Sequence, residues 1–210
     1  MRKDLTDITM VIDRSGSMES IRADAEGGIN TFIDSQKKES GEALFTLVQF
    51  DTEYEFVHRG VAIGEVSRYS LVPRGATALL DAVGRAINET GSRLAAMPEH
   101  ERPGLVVLVI VTDGQENSSK EFNRDKIRQM IEHQQSVYRW QFTFLAANQD
   151  AFAEGATLGI APAGIADFDA KKHFFAYRSV SNKMSRMRKA LSDGETVDNN
   201  FTDEERKDMK

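Results

Sequence analysis

Three short segments of this chain carry oxygen-bearing side chains whose types and order suit the binding of a hard cation: Asp13-Arg14-Ser15-Gly16-Ser17, Gly75-Ala76-Thr77 and Thr112-Asp113-Gly114. Taken together, Asp13, Ser15, Ser17, Thr77 and Asp113 supply carboxylates and hydroxyls and no nitrogen or sulfur. Hard oxygen donors suit Mg²⁺, and also Mn²⁺ or Ca²⁺, rather than zinc or copper. The spacing of the first segment has a physical reason. Asp13 closes an apolar run, so it stands at the rim of a strand. Ser15 and Ser17 alternate on a turn, so both hydroxyls can face one point, and Gly16 lets the backbone turn tightly without a side-chain clash. The chain then enters a helix, whose first N–H groups can hold carboxylates or an anionic ligand.

Each segment alone has a simpler reading. Asp13, Ser15 and Ser17 make a turn with a helix N-cap, Thr77 a second cap, and Thr112-Asp113-Gly114 a turn. Only a fold that brings the three together makes a site, so the elements around them decide. Five apolar stretches read as strands: Ile8 to Ile12, Ala43 to Phe50, Tyr54 to His58, Leu105 to Val111 and Trp140 to Ala146. The third follows the second after the tight turn Asp51-Thr52-Glu53, as the returning arm of a hairpin. The fourth is nearly continuous Val, Leu and Ile, which marks a strand covered on both faces.

Helical spacing of apolar residues predicts helices over roughly 18–39, over Leu79 to Leu94, around Phe122 to Ile131, over Ala151 to Leu158 with Asp150 as its cap, and over about 170–191. Strands alternating with helices imply an α/β fold. It is Rossmann-like and doubly wound, with a mostly parallel central sheet, one antiparallel edge strand and helices on both faces. In such sheets ligands bind at the carboxyl ends of the strands, where all three segments fall. Asp51, Glu116, Asn117, Asn148 and Asp150 also follow strand ends and, with Arg74 beside the Thr77 loop, are expected to ring that face. For most of them a solvated loop or a cap is the simpler reading, and Arg14 reads as facing solvent.

The pentad, then Thr77, then Asp113, each after its own element, resemble a von Willebrand factor type A domain. The family's Asp-x-Ser-x-Ser pattern falls on Asp13, Ser15 and Ser17, its later threonine on Thr77 and its later aspartate on Asp113. All positions of the metal-ion-dependent adhesion site are thus present. The resemblance covers about residues 5–190 and looks closest to short intracellular prokaryotic members, including those linked to tellurite-resistance-type stress operons. It implies that Ser15 and Ser17 bind the metal directly, that Thr77 and the two aspartates bind directly or through water, and that a protein partner's Asp or Glu completes the shell. The chemistry is consistent: an ion held mainly by neutral hydroxyls keeps its positive charge and seeks an anionic ligand from outside.

Composition narrows the alternatives. There is no cysteine, which excludes disulfides, thiolate metal sites and thiol catalysis, and the net charge of −6 gives no overall pull toward nucleic acid. Met1-Arg2-Lys3-Asp4 and the short apolar run after it do not read as a signal peptide, and no segment approaches the roughly 20 apolar residues of a membrane span. A cytoplasmic protein without membrane partners is expected. An Mg²⁺-dependent phosphoryl-transfer or hydrolytic enzyme using Asp13 is the second reading. Against it, Ser15 stands where a second carboxylate would be, and no phosphate loop or Ser–His pair is apparent.

A third reading is nucleic-acid binding through the last helix. One face of it carries Lys171, Lys172, Arg178, Lys183, Arg186, Arg188 and Lys189, and a solvated face is the commonest outcome for such a pattern. The domain is expected to span 1–191, followed by an acidic polar tail over 192–210. Three readings are open for that tail: disorder, docking on the basic helix, or self-association by offering carboxylates to another copy's metal.

Overall fold

The first strand sets the architecture, because its residues alternate between two apolar layers. In the computed structural model, which describes residues 1–147 and 151–210, β1 (Arg2–Asp13) lies between β2 (Glu42–Phe50) and β4 (Pro103–Thr112). Ile8, Met10 and Ile12 point into one layer with Phe32, Tyr177 and Met184. Val11 points into the other with Val83, Ile87, Ile110 and Ile127. With β3 (Tyr54–Ala62), β5 (Gln141–Ala147) and β6 (Ile165–Phe168), the sheet order is β3-β2-β1-β4-β5-β6. Every neighbouring pair is parallel except β2–β3. The expected mostly parallel sheet with one antiparallel edge strand is therefore present.

The helices cover both faces. α1 (Arg22–Gln36) and α5 (His173–Asp193) pack on one side. α2 (Leu79–Ala95), α3 (Arg124–Tyr138) and α4 (Ala151–Thr157) pack on the other. Two departures from the sequence reading bear on the site. The helix expected from Met18 begins instead as a 3-10 turn, Gly16–Ile21, and becomes α-helical only at Arg22. The sixth strand was not expected, and it supplies the edge opposite β3.

The basic face of α5 is solvated only in part: Arg178 and Lys189 are exposed, but two of its charges are enclosed. Lys183 is buried, donating to Thr143 Oγ1 at 2.7 Å, with its ammonium 3.8 Å from the Phe201 ring centroid. Arg188 is buried too and donates to the carbonyls of Gln36, Ser40 and Gly41. Arg186 forms a two-armed pair with Glu205. Glu205 belongs to α6 (Asp203–Asp208), a short helix with a full capping box between Thr202 and Glu205. Phe201 and Met209 on either side of it join the core. Of the charges that suggested a nucleic-acid surface, Lys183 and Arg188 are thus enclosed and Arg186, still partly exposed, is paired with Glu205, because the chain folds back over the helix that bears them. Among the described residues, no helix is long and apolar enough to cross a membrane.

Candidate metal centre

Strand register brings the first and third segments together. Ile12 pairs with Val111, so Asp13 at the end of β1 lies beside Thr112 at the end of β4. The Asp13 carboxylate is fully buried and held on both oxygens. Oδ1 accepts the Ser15 amide at 2.7 Å, and Oδ2 accepts the Thr112 hydroxyl at 2.6 Å. From Ser15 a chain of short contacts runs outward: Ser15 Oγ lies 3.0 Å from Ser17 Oγ, which donates to Asp113 Oδ1 at 2.7 Å.

Thr77 arrives from the second segment, and Gly114 shows how closely it approaches. A Cβ placed on Gly114 would stand 2.9 Å from Thr77 Oγ1, 3.6 Å from Asp13 Oδ2 and 3.7 Å from Ser15 Oγ. Oxygens from the first two segments therefore converge on the space in front of the Gly114 α-carbon, which the third segment supplies. Only a residue without a side chain leaves that space open.

The simpler capping readings can now be tested against the hydrogen bonds. Ser15 is the N-cap residue of the 3-10 turn, yet its side chain makes no capping bond. The N-cap of α2 is Ala78, again without a side-chain cap. The free amides there are met from another loop: Glu116 accepts from Leu80 N at 2.9 Å, and Asn117 Oδ1 accepts from Thr77 N at 3.0 Å. With capping done by others, the Ser15, Ser17 and Thr77 hydroxyls are left pointing at one another's neighbourhood.

Burial pushes the Asp13 carboxyl up to about 6. The Thr112 hydroxyl and the Ser15 groups pull against that shift, and the charge of Asp113 adds to it. Asp113 is raised as well, chiefly by burial, with its bond from Ser17 opposing. Two carboxylates that resist ionising side by side are what a bound divalent cation would relieve. Among the described residues no group of three or more His, Cys, Asp or Glu forms a cage. The donor set is two carboxylates plus hydroxyls, which fits a hard cation and suits a soft one poorly.

The surrounding residues take different places from those expected. Arg14 does not face solvent but is 4% exposed, donating from Nε to Asp51 Oδ2 and from Nη1 to Glu55 Oε2, each at 2.8 Å. Asp51 does not line the rim: it is 1% exposed and also accepts from Arg74 Nε at 2.8 Å. Burial pushes its carboxyl up, but Arg74, the Glu53 amide and Arg14 together hold it below the usual carboxylate range. Glu116 is occupied by Leu80 N, by the Ser118 and Ser119 amides and by the Ser119 hydroxyl. Asn117 is occupied by both Thr77 main-chain groups. Arg74 keeps an open side chain, 52% exposed, while pairing with Asp51 and Glu53. Asn148 and Asp150 lie outside the described residues.

No protein-family model and no curated protein sequence matches the chain. Solved structures do match. Proximal thread matrix protein 1 from the mussel byssus superposes with a TM-score of 0.63 at 15% identity, over 86% of this chain and 46% of that one. A von Willebrand factor type A protein from Catenulispora acidiphila gives 0.58 at 14% identity, over 86% and 42%. The von Willebrand factor domain of the pilus tip protein Mfa5 from Porphyromonas gingivalis gives 0.59 at 12%, over 85% and 94%. The fold is that of von Willebrand factor type A domains. The chain spans less than half the length of the first two proteins. The mussel protein has also been solved with zinc in its metal-ion-dependent adhesion site (TM-score 0.58, 17% identity, over 86% and 46%).

Within this type A fold, sequence reading missed two working parts. The sequence marks Thr112 only as part of a turn, yet it holds the buried Asp13 oxygen. Its position at the end of the strand beside β1 was the available signal. Glu116 and Asn117, expected on the rim, also meet the amides at the start of α2 and so free Thr77 from capping. That role depends on a loop contact about 40 residues away in sequence, which no local pattern reveals.

Proposed function

We propose that this chain is a divalent-cation-dependent protein-binding module. In this reading Asp13, Ser15, Ser17, Thr77 and Asp113 hold Mg²⁺, and an Asp or Glu carboxylate of a protein partner completes its shell. The observation that carries the reading is the convergence of Asp13, Ser15 and Thr77 oxygens on the space beside Gly114, with the capping of α2 left to Glu116. The all-oxygen donor set favours Mg²⁺ or Mn²⁺ over softer ions, and the zinc in the mussel protein's corresponding motif supports a divalent ion in such a site. When bound, the metal would supply a positive centre that accepts an anionic ligand. Ser15, Ser17 and Thr77 would supply neutral oxygens that leave its charge largely unspent, and Asp13 would be fixed by Thr112 and the Ser15 amide.

A binding role suits Asp13 better than catalysis. Both of its oxygens are engaged and it is fully buried, so it is poorly placed to attack a substrate. Nucleic-acid binding through α5 loses its main support with the burial of Lys183 and Arg188.

Melting the protein across a Mg²⁺ or Mn²⁺ titration tests the proposal. Metal at a hundredfold excess over its dissociation constant adds about 2.7 kcal/mol, or roughly 5–10 °C for a domain of this size. Asp13→Ala should abolish the shift. A wild type whose melting ignores both metals would overturn the metal site. A partner captured equally by wild type and Asp13→Ala would overturn the metal-bridged contact.

A further inference from the structure

Arg14 occupies one of the two positions of the pentad that carry no metal-type donor, yet it is the more elaborately held of the two. Its amide donates to the Phe50 carbonyl at 2.8 Å, and its own carbonyl accepts the Arg74 amide at 2.7 Å. Its guanidinium reaches under the site to Asp51 and Glu55. Asp51 in turn grips the Thr77 segment at both ends. Its carboxylate holds the Arg74 side chain at 2.8 Å, and its carbonyl accepts the Ala78 amide at 2.8 Å. The Gly75 carbonyl closes the loop onto the Gly16 amide at 3.1 Å. The same guanidinium reaches further back along the loop, because Glu55 accepts from Gln49, which accepts from the Tyr69 hydroxyl.

This matters because residues 66–78 are otherwise irregular. No ladder or helix fixes Thr77. Its place opposite Ser15 and Ser17 depends on isolated main-chain bonds and side-chain ties, and Arg14 is the side-chain tie that belongs to the pentad itself. We infer that Arg14 is a positioning residue for the metal centre: through Asp51 it sets where the Thr77 hydroxyl stands relative to the Ser15 and Ser17 hydroxyls. The inference rests on the metal-binding reading above.

Stability alone is a poor account of this arrangement. A buried ion pair gains little over apolar groups of similar volume, and here one guanidinium nitrogen, Nη2, is enclosed with no hydrogen-bond partner among the described residues. Removing Arg14 does not orphan its acceptors either. Asp51 keeps Arg74, the Glu53 amide and the Thr52 hydroxyl. Glu55 is half exposed and keeps Gln49. An unbranched apolar replacement should therefore leave the fold standing while loosening the Thr77 segment.

The experiment is calorimetric titration of the full chain with Mn²⁺, beside metal-free melting, for wild type, Arg14→Met, Arg14→Lys and Asp13→Ala. Arg14→Met should melt within a few degrees of wild type without metal, yet bind Mn²⁺ roughly 10-fold or more weakly, the usual loss when a group that orients a metal ligand is removed. Arg14→Lys should fall between, since a single ammonium cannot serve Asp51 and Glu55 as a planar fork does. If Arg14→Met fails to fold, the lysine variant decides, because it keeps the charge. Folded Arg14 variants that bind Mn²⁺ with the wild-type constant overturn the positioning role and leave the metal site intact. A wild type that does not bind Mn²⁺ at all overturns both.

Discussion

Gly114 stands so close to Thr77 that a Cβ there would lie 2.9 Å from the threonine hydroxyl. The same point faces Asp13 and Ser15, so a methyl group would enter the space on which the candidate ligands converge. Gly114→Ala is expected to weaken Mg²⁺ or Mn²⁺ binding by roughly 10-fold or more while every proposed ligand remains. Calorimetric titration checks this. A Gly114→Ala protein with wild-type affinity would mean that the ion, if bound, sits elsewhere.

Thr112 and Asp13 form the buried hydrogen bond that ties β4 to the end of β1. Replacing Thr112 with Val keeps the shape and leaves a buried carboxylate oxygen without its donor, which costs about 1–3 kcal/mol. Thr112→Val should therefore lower stability in metal-free urea denaturation by that amount, and Thr112→Ser should restore most of it. An unchanged midpoint in Thr112→Val would show that the hydroxyl contributes nothing to holding Asp13.

Much of this site was legible because each of its parts ends an element with a strong pattern of its own. Asp13 follows Ile8 to Ile12, Asp113 follows the run of Leu105 to Val111, and Thr77 precedes the periodic helix from Leu79. The order of the sheet then places them on one rim. What was not legible depended on contacts distant in sequence. Arg14 read as solvent-facing because nothing nearby says that Asp51 and Glu55 will enclose it. β6 was missed because four residues, Ile165 to Phe168, are too few to show a period. The first turn of the helix after Ser17 was read as α-helical, but Ser15 and Ser17 turn their hydroxyls to the site and the backbone tightens into a 3-10 turn.

The folded-back tail carries the same lesson and a prediction. Phe201 and Met209 stand alone among charged and polar residues, with no periodicity to mark them, yet both are buried against α5 and its surroundings. Phe201 also covers the Lys183 ammonium. Truncating a buried Phe to Ala costs about 3–5 kcal/mol, so Phe201→Ala should be strongly destabilising. The exposed neighbour Glu204→Ala should change little. Chemical denaturation of the two variants measures the contrast, and equal stabilities would mean that the tail is not part of the folded unit.

His173 supplies a test by pH. Its ring is fully buried, packs edge-on against Phe168 at 4.6 Å, and has no hydrogen-bond partner on either nitrogen among the described residues. Burial pushes its pKa down from 6.5 to about 4, and only the charge of Asp24 opposes the shift. The folded protein therefore binds this proton less readily than the unfolded chain does. The stabilising contribution is whole above pH 6.5 and is lost as pH falls through about 4, a loss of about 3 kcal/mol. Asp13 and Asp113, whose carboxyls are raised, act in the opposite sense as pH falls, so the comparison must be made between variants rather than within one pH series. His173→Phe keeps an aromatic ring against Phe168 and removes the titrating group. Between pH 7 and pH 4.5, wild type should lose about 2–3 kcal/mol more than His173→Phe. Parallel pH profiles for the two proteins would show that the imidazole is already solvated in the folded state, and that the N-terminal turn of α5 does not seal it.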